Sequence, residues 1–183
     1  IGANISLGDY EKFIEIKLDR DRPKRIRINK TELKSYKELN SGLNVVIFSP
    51  EDLRIIKDGP QERRNFLDNG VSQIKPVYNY NMSRYKKILF QRNNLLRTSK
   101  FKKDITNLLD VFDLQISKIG TSIMVERNNY VKELSKISKM THKQITRGSE
   151  NLELEYITNV PIIDDKREME KLYLNLMKKN TNR

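Results

Sequence analysis

The chain has 183 residues, with 36 Lys or Arg against 24 Asp or Glu, so its net charge is +12. Its isoelectric point is near 9.8 and its mean hydropathy −0.70. It has no Cys, which excludes disulfides and thiolate metal sites, and no apolar run approaches the roughly 18–20 residues of a membrane span.

The excess of cations favours a polyanionic partner, nucleic acid before an acidic membrane face; coding bias toward Lys, Asn and Ile is the bland alternative. The length suits one domain, or a small sheet domain followed by a helical one. The sequence opens on Ile1-Gly2-Ala3 without Met, as expected of a piece of a longer polypeptide.

In Lys12–Asp19 the residues Ile14, Ile16 and Leu18 alternate with charged ones, the period of a half-buried strand. A polar turn to Pro23 follows, and Arg25–Asn29 alternates again, which predicts an antiparallel hairpin. Thr31–Lys34 reads as a short helix start, broken at Ser41-Gly42. Val45–Phe48 is wholly apolar, as expected of a strand buried on both faces.

From Pro60 the period changes to that of helices. Pro60 suits a first helical turn, and that helix is expected to stop near Asn69-Gly70. A second follows Pro76, with Tyr78, Met82, Tyr85, Leu89 and Leu96 on one face. A third carries Ile105, Leu109, Phe112, Ile116, Ile119, Ile123, Tyr130, Leu134 and Ile137; unbroken it would run about 50 Å, with a kink expected at Gly120. Joined through Thr98-Ser99-Lys100, these two should pack antiparallel as a coiled-coil-like projection. Where the third helix ends within 139–151 is not fixed by the pattern. Leu152, Leu154 and Tyr156 alternate with acids, predicting a returning strand, and 164–179 a final helix. The fold class is therefore α+β: an antiparallel β segment (1–59), an inserted helical lobe (60–150), then a strand and helix (151–183). By layout this is like the head of ABC-type chromosome-maintenance ATPases.

Stand-alone catalysis lacks a constellation. There is no G-x-x-x-x-G-K followed by Ser or Thr, no G-x-G-x-x-G, and no Walker B-like strand end. His142, the single histidine, has no Cys or second His and reads as a solvated helix-end residue. Asp164-Asp165 precedes a helix and reads as an N-cap.

Most informative is Phe48-Ser49-Pro50-Glu51-Asp52-Leu53, followed by Gly59-Pro60-Gln61-Glu62-Arg63-Arg64-Asn65-Phe66-Leu67-Asp68. Arg63 and Arg64 fall in a first helical turn, where the macrodipole disfavours cations. Two readings stand open. Arg64 pairs with Asp68 and Arg63 with Glu51 or Asp52, stapling loop to helix; or one arginine faces a phosphate across an interface.

These two segments, with Tyr85-Lys86-Lys87-Ile88-Leu89-Phe90-Gln91-Arg92-Asn93-Asn94-Leu95-Leu96, resemble the RecF family in order and spacing, most strongly over 43–97. The resemblance implies an ABC/SMC-like head with a helical lobe in place of a long coiled coil. It implies a cytoplasmic protein of DNA repair, replication, recombination and the SOS response that binds ATP and Mg²⁺ and dimerises around ATP. It further implies binding to DNA at single-strand/duplex junctions and work with RecO and RecR. The family's Walker A precedes the stretch matched here, and its signature motif and Walker B follow it, so no ATP hydrolysis is expected of this chain by itself. By looser likeness to SMC proteins, Ser49 stands where their Q-loop glutamine does. Ser49, Glu51 and Asp52 are thus the implied cofactor-side residues.

The candidate binding residues are Arg63, Arg64, Arg84, Lys86, Lys87, Arg92, Arg97, Lys100, Lys102 and Lys103, most of them around the helical hairpin and its tip. Such clusters neutralise phosphates and release counterions, though charged outer faces are also ordinary for two-helix projections. The lobe is expected to contact DNA backbone, or alternatively to dock RecR or a second RecF without touching DNA.

Overall fold

The computed structural model describes residues 1–33, 46–98 and 105–181. Its contacts divide the chain into two units, Ile1–Phe48 and Ser49–Arg183.

The first unit is a four-stranded antiparallel sheet in the order β1 (Gly2–Leu7), β2 (Tyr10–Lys17), β3 (Arg25–Ile28), β4 (Thr31–Glu32). The hairpin expected from the alternating runs is β2–β3, with Ile14 opposite Ile28 and Ile16 opposite Ile26. Ile14 and Ile26 are buried in this sheet. Strand β1, which the alternation did not announce, turns into β2 through Gly8-Asp9, where Gly8 takes φ +59°.

The segment read as a helix start is strand instead. Asn29 and Lys30 both adopt positive φ (48° and 71°), the primed turn whose twist matches flanking strands, so Thr31-Glu32 is returned onto β3. The Asn29 side chain accepts the Phe13 N–H at 2.7 Å, which holds the turn despite a lysine where glycine is easier. Val46, Ile47 and Phe48, expected in a buried strand, have no regular structure and are highly exposed. No strand among the described residues pairs with them, and an apolar run is buried only where neighbours cover both its faces. Val45 lies outside the described residues, as does Lys34.

The second unit is helical. A 3-10 turn (Pro50–Leu53) leads through α1 (Arg54–Lys57) into α2 (Pro60–Ile74), α3 (Pro76–Thr98), α4 (Thr106–Ile145) and α5 (Lys166–Thr181). Pro60 and Pro76 open their helices as anticipated. α4 has 40 residues, about 60 Å at 1.5 Å per residue. It ends where two left-handed residues, Arg147 and Gly148, close it: Gly148 N–H reaches the Lys143 carbonyl at 2.8 Å and Arg147 N–H that of Gln144 at 3.3 Å. Those are the paired bonds of a Schellman end. Asp165 caps α5, accepting the N–H groups of Arg167 (2.8 Å) and Glu168 (3.2 Å). His142 sits in the last turn of α4, half-buried, with Nε2 3.5 Å from Glu150.

α3 and α4 run antiparallel, because early α3 meets the middle of α4 (Tyr78 with Arg127) and late α3 meets early α4 (Arg92 with Asp113). Val71, Tyr78, Ile88, Ile116, Ile119 and Ile123 form their core, flanked by Met82, Tyr85, Leu89 and Phe112 from the expected stripes. Beyond it Met124, Val160 and Met169 join α4 to α5 and the connecting segment. That segment is not the expected strand. Residues 152–156 lie in irregular chain alongside α4, where Leu154 N–H donates to Ser135 Oγ at 3.1 Å.

Both glycines read as helix breakers sit inside continuous helices. A Cβ on Gly70 would lie 2.3 Å from the Tyr130 hydroxyl; one on Gly120 would lie 2.4 Å from the Tyr173 ring and 3.1 Å from that of Tyr85. The missing side chains admit tyrosines, so their role is close approach. Gly120→Ala should therefore destabilise the helical unit by about 1–3 kcal/mol by overpacking, although alanine is the better helix former by about 1 kcal/mol. Urea unfolding followed by helical circular dichroism measures this; an unchanged or raised midpoint would contradict the packing.

Candidate functional site

A buried polar spine positions the surface of the helical unit. Arg92 on α3 and Asp113 on α4 form an ion pair with side-chain exposures of only 10% and 3%. Seven residues back on α3, Tyr85 packs by Gly120, seven residues on along α4, and its hydroxyl shares a 2.8 Å hydrogen bond with that of Tyr173 on α5. A further seven residues along each helix, Tyr78 meets Arg127. The three rungs repeat at the heptad spacing that keeps two helices in register.

At the last rung Tyr78 donates to Asp68 Oδ1 at 2.5 Å. Arg127 donates to the same oxygen from Nε (2.9 Å) and Nη2 (2.6 Å), and from Nε to the Tyr78 oxygen at 2.9 Å. α2, α3 and α4 are thereby tied at one point, and Tyr156 of the connecting segment bonds to Arg127 as well. Burial works against the Arg127 charge, but its bonds to Tyr156 and Asp68 outweigh that and hold its pKa above the ordinary value. Burial first, then the Asp68 carboxylate, raises the Tyr78 hydroxyl above its usual 10.0, with Arg127 opposing. Tyr173 is raised too, chiefly by burial and next by Tyr85.

With this spine facing inward, the residues on the opposite side of α3 face solvent. α3 contains no Asp or Glu. Arg84, Lys86, Lys87 and Arg97 are exposed on it. None of the four has a carboxylate partner among the described residues: Arg97 is bonded to Asn94 at 3.2 Å, and Arg84 lies 5.6 Å from the centre of the Tyr80 ring. Arg92, placed with them by sequence, is corrected to the core, since its guanidinium belongs to Asp113. Lys100, Lys102 and Lys103 lie outside the described residues.

Arg63 and Arg64 are exposed on α2 but find other partners than expected. Arg63 donates to the backbone carbonyls of Ile55 (3.0 Å) and Asp58 (3.2 Å), filling the carbonyl end of α1 instead of reaching Glu51 or Asp52. Arg64 bonds to Gln61 at 3.1 Å, because Asp68 is already engaged by Arg127 and Tyr78.

Asp52 accepts the Ser49 N–H at 2.7 Å and closes the 3-10 turn. Glu51 is held below the usual carboxylate range by its own backbone N–H and then by Ser49. Ser49, Glu51 and Asp52 are thus gathered in one short turn at the start of the helical unit. Among the described residues no group of three or more acids or His could hold a metal, and no helix is long and apolar enough to cross a membrane.

Two outcomes follow from the spine. Arg92→Met alone should cost about 3–5 kcal/mol by stranding Asp113, whereas adding Asp113→Leu should recover most of it; denaturant unfolding of both variants tests this, and additive losses would contradict it. Tyr78 binds its proton more tightly folded than unfolded. Its contribution is thus complete below pH 10 and lost as pH rises through the raised folded value. The urea midpoint should fall above pH 10, and less steeply in Tyr78→Phe; equal slopes would contradict the assignment.

No protein-family model matches the chain. It is 42% identical over 176 residues to the DNA replication and repair protein RecF of Clostridium botulinum strain Loch Maree, covering 96% of this chain and 47% of that protein. RecF of Acetivibrio thermocellus is 40% identical over 161 residues, 88% of this chain and 44% of the relative. Among solved structures, the recombination mediator protein RecF with ATPrS, of the RecFOR pathway, superposes with a TM-score of 0.84 at 32% identity, over 96% of this chain and 47% of that one. The same mediator with ATP gives 0.83 at 32% identity, over 94% and 46%. The chain spans about half the length of the curated relatives it matches. Over nearly its whole length, and in fold as in sequence, this chain matches RecF DNA replication and repair proteins across about half of theirs.

Proposed function

We propose that this chain is the central region of a recombination-repair protein that, when intact, engages DNA at gaps and junctions in an ATP-dependent way. The helical lobe supplies backbone contacts to that DNA. The observation that carries this is α3: four exposed cations, no acid in 23 residues, and no carboxylate partner among the described residues. A face so composed gains by releasing the counterions condensed on phosphates. Arg64, exposed on α2, adds to the same positive field, and Lys100, Lys102 and Lys103 extend it in sequence.

In the intact protein, ATP with Mg²⁺ and a second copy complete the head, RecO and RecR act with it, and the setting is the cytoplasm; the support is the kinship with RecF proteins. Glu51 and Asp52, with Ser49 in the same turn, suit a metal- or water-bridged position near nucleotide.

A second reading has its own support. Leu108, Val111 and Leu114, at three-residue intervals on early α4, are 48–59% exposed and suit a protein partner such as RecR.

The test is binding of this chain to a gapped duplex over a salt series. Affinity should fall linearly in log–log form, and Lys86→Glu with Lys87→Glu should weaken binding and lower the slope by about 2. No binding at low salt, or a response flat in salt, would overturn the DNA reading. Loss of RecR capture in the reversed variant with DNA affinity intact would establish docking in its place.

A further inference from the structure

We infer that the outer face of α3 is a single-strand platform: its cations track a nucleic-acid backbone while Phe90 receives an unstacked base. The inference rests on the DNA-binding reading above and names the strand form that this face takes.

The arrangement follows from helical spacing. At 100° per residue, Phe90 points about 160° away from Ile88 and Arg92 and about 120° away from Tyr78, the residues of α3 that are buried. Lys86, Lys87 and Arg97 project within about 60° of Phe90, one to two turns away along the axis. Phe90 is 66% exposed and Tyr80 59% exposed. A single exposed aromatic is unremarkable on a protein surface. A ring ringed by cations, on a helix without one acid, is a different environment: it repels cationic partners and offers a π-face where a polyanion is drawn in. Tyr80, flanking the same face, already carries the Arg84 guanidinium over its ring. Planar cation on planar ring is the mode in which such side chains also stack on bases.

Duplex and single strand make different use of this face. Phosphates of either strand form satisfy the lysines equally. Only unpaired bases expose faces for Phe90, and stacking of this kind tolerates any base. The platform therefore adds affinity for single strand over duplex without reading sequence.

The experiment compares a fluorescein-labelled oligothymidylate with a duplex of equal length, by anisotropy at fixed low salt, using this chain. Phe90→Ala should weaken oligothymidylate binding about tenfold, the size of one base–aromatic stack, and change duplex binding less than twofold. Phe90→Tyr, which keeps the ring, should retain the wild-type preference. Circular dichroism and the urea midpoint of Phe90→Ala should match the parent, since the ring is exposed. Unchanged oligothymidylate binding in Phe90→Ala, or equal loss for both strand forms, would overturn the inference while leaving salt-dependent DNA binding in place. Absence of binding to either strand form in the parent chain would instead overturn the reading on which it rests. Loss of partner-protein capture in Phe90→Ala with both DNA affinities intact would also overturn it, and assign the ring to docking.

Discussion

The ion pair between Arg92 and Asp113 fixes how α3 lies on α4, and most of the helical unit follows from it. Two opposite charges placed in a low-dielectric interface must meet, because an unpaired buried charge costs several kcal/mol. Sliding either helix by one turn would separate them. The rung formed by Tyr78 and Arg127, fourteen residues away on each helix, imposes the same register and brings in Asp68 from α2. Apolar packing alone would tolerate several offsets. The polar rungs select one.

That register decides what α3 presents. Its charged residue with a carboxylate partner faces inward, so the cations left outside have no acid to neutralise them among the described residues. Tyrosines make the inner surfaces close-fitting. Tyr130 lies against Gly70 and Tyr173 against Gly120, which lets α2 and α5 approach α4 more nearly than any residue with a Cβ would allow. The Tyr85–Tyr173 bond gives the half-buried hydroxyls of that crossing a partner. The ends of the same helices are closed by local means, Asp165 at the start of α5 and the left-handed Arg147-Gly148 pair at the end of α4.

Much of this was legible in the sequence, and the failures have physical causes. The stripes on α3 and α4 named the core, because helical period and burial are directly coupled. The final helix and its Asp cap were legible for the same local reason. Gly70 and Gly120 misled, since conformational freedom and lack of volume are written with one letter, and only the partner tyrosine distinguishes them. Leu152–Tyr156 alternates but has no strand beside it, and alternation does not supply a neighbour. Arg92 was grouped with surface cations although it lies on the buried side, three residues beyond Leu89 and four before Leu96. Asp113 lies likewise, four beyond Leu109. Opposite charges at core positions of two helices expected to pair were a signal that could have been read. The partners of Arg63 could not, because backbone carbonyls leave no trace in residue identity.

The proposed function places nucleic acid on the acid-free outer side of α3, and not on the mixed-charge surfaces of the sheet or α5. Photocrosslinking of a single-stranded oligonucleotide bearing a photoreactive base, followed by mass spectrometric mapping of the adducts, tests it most directly. The account requires adducts on α3 at or beside Phe90. Adducts confined to β1–β4 or to α5, with α3 unmodified, would contradict it.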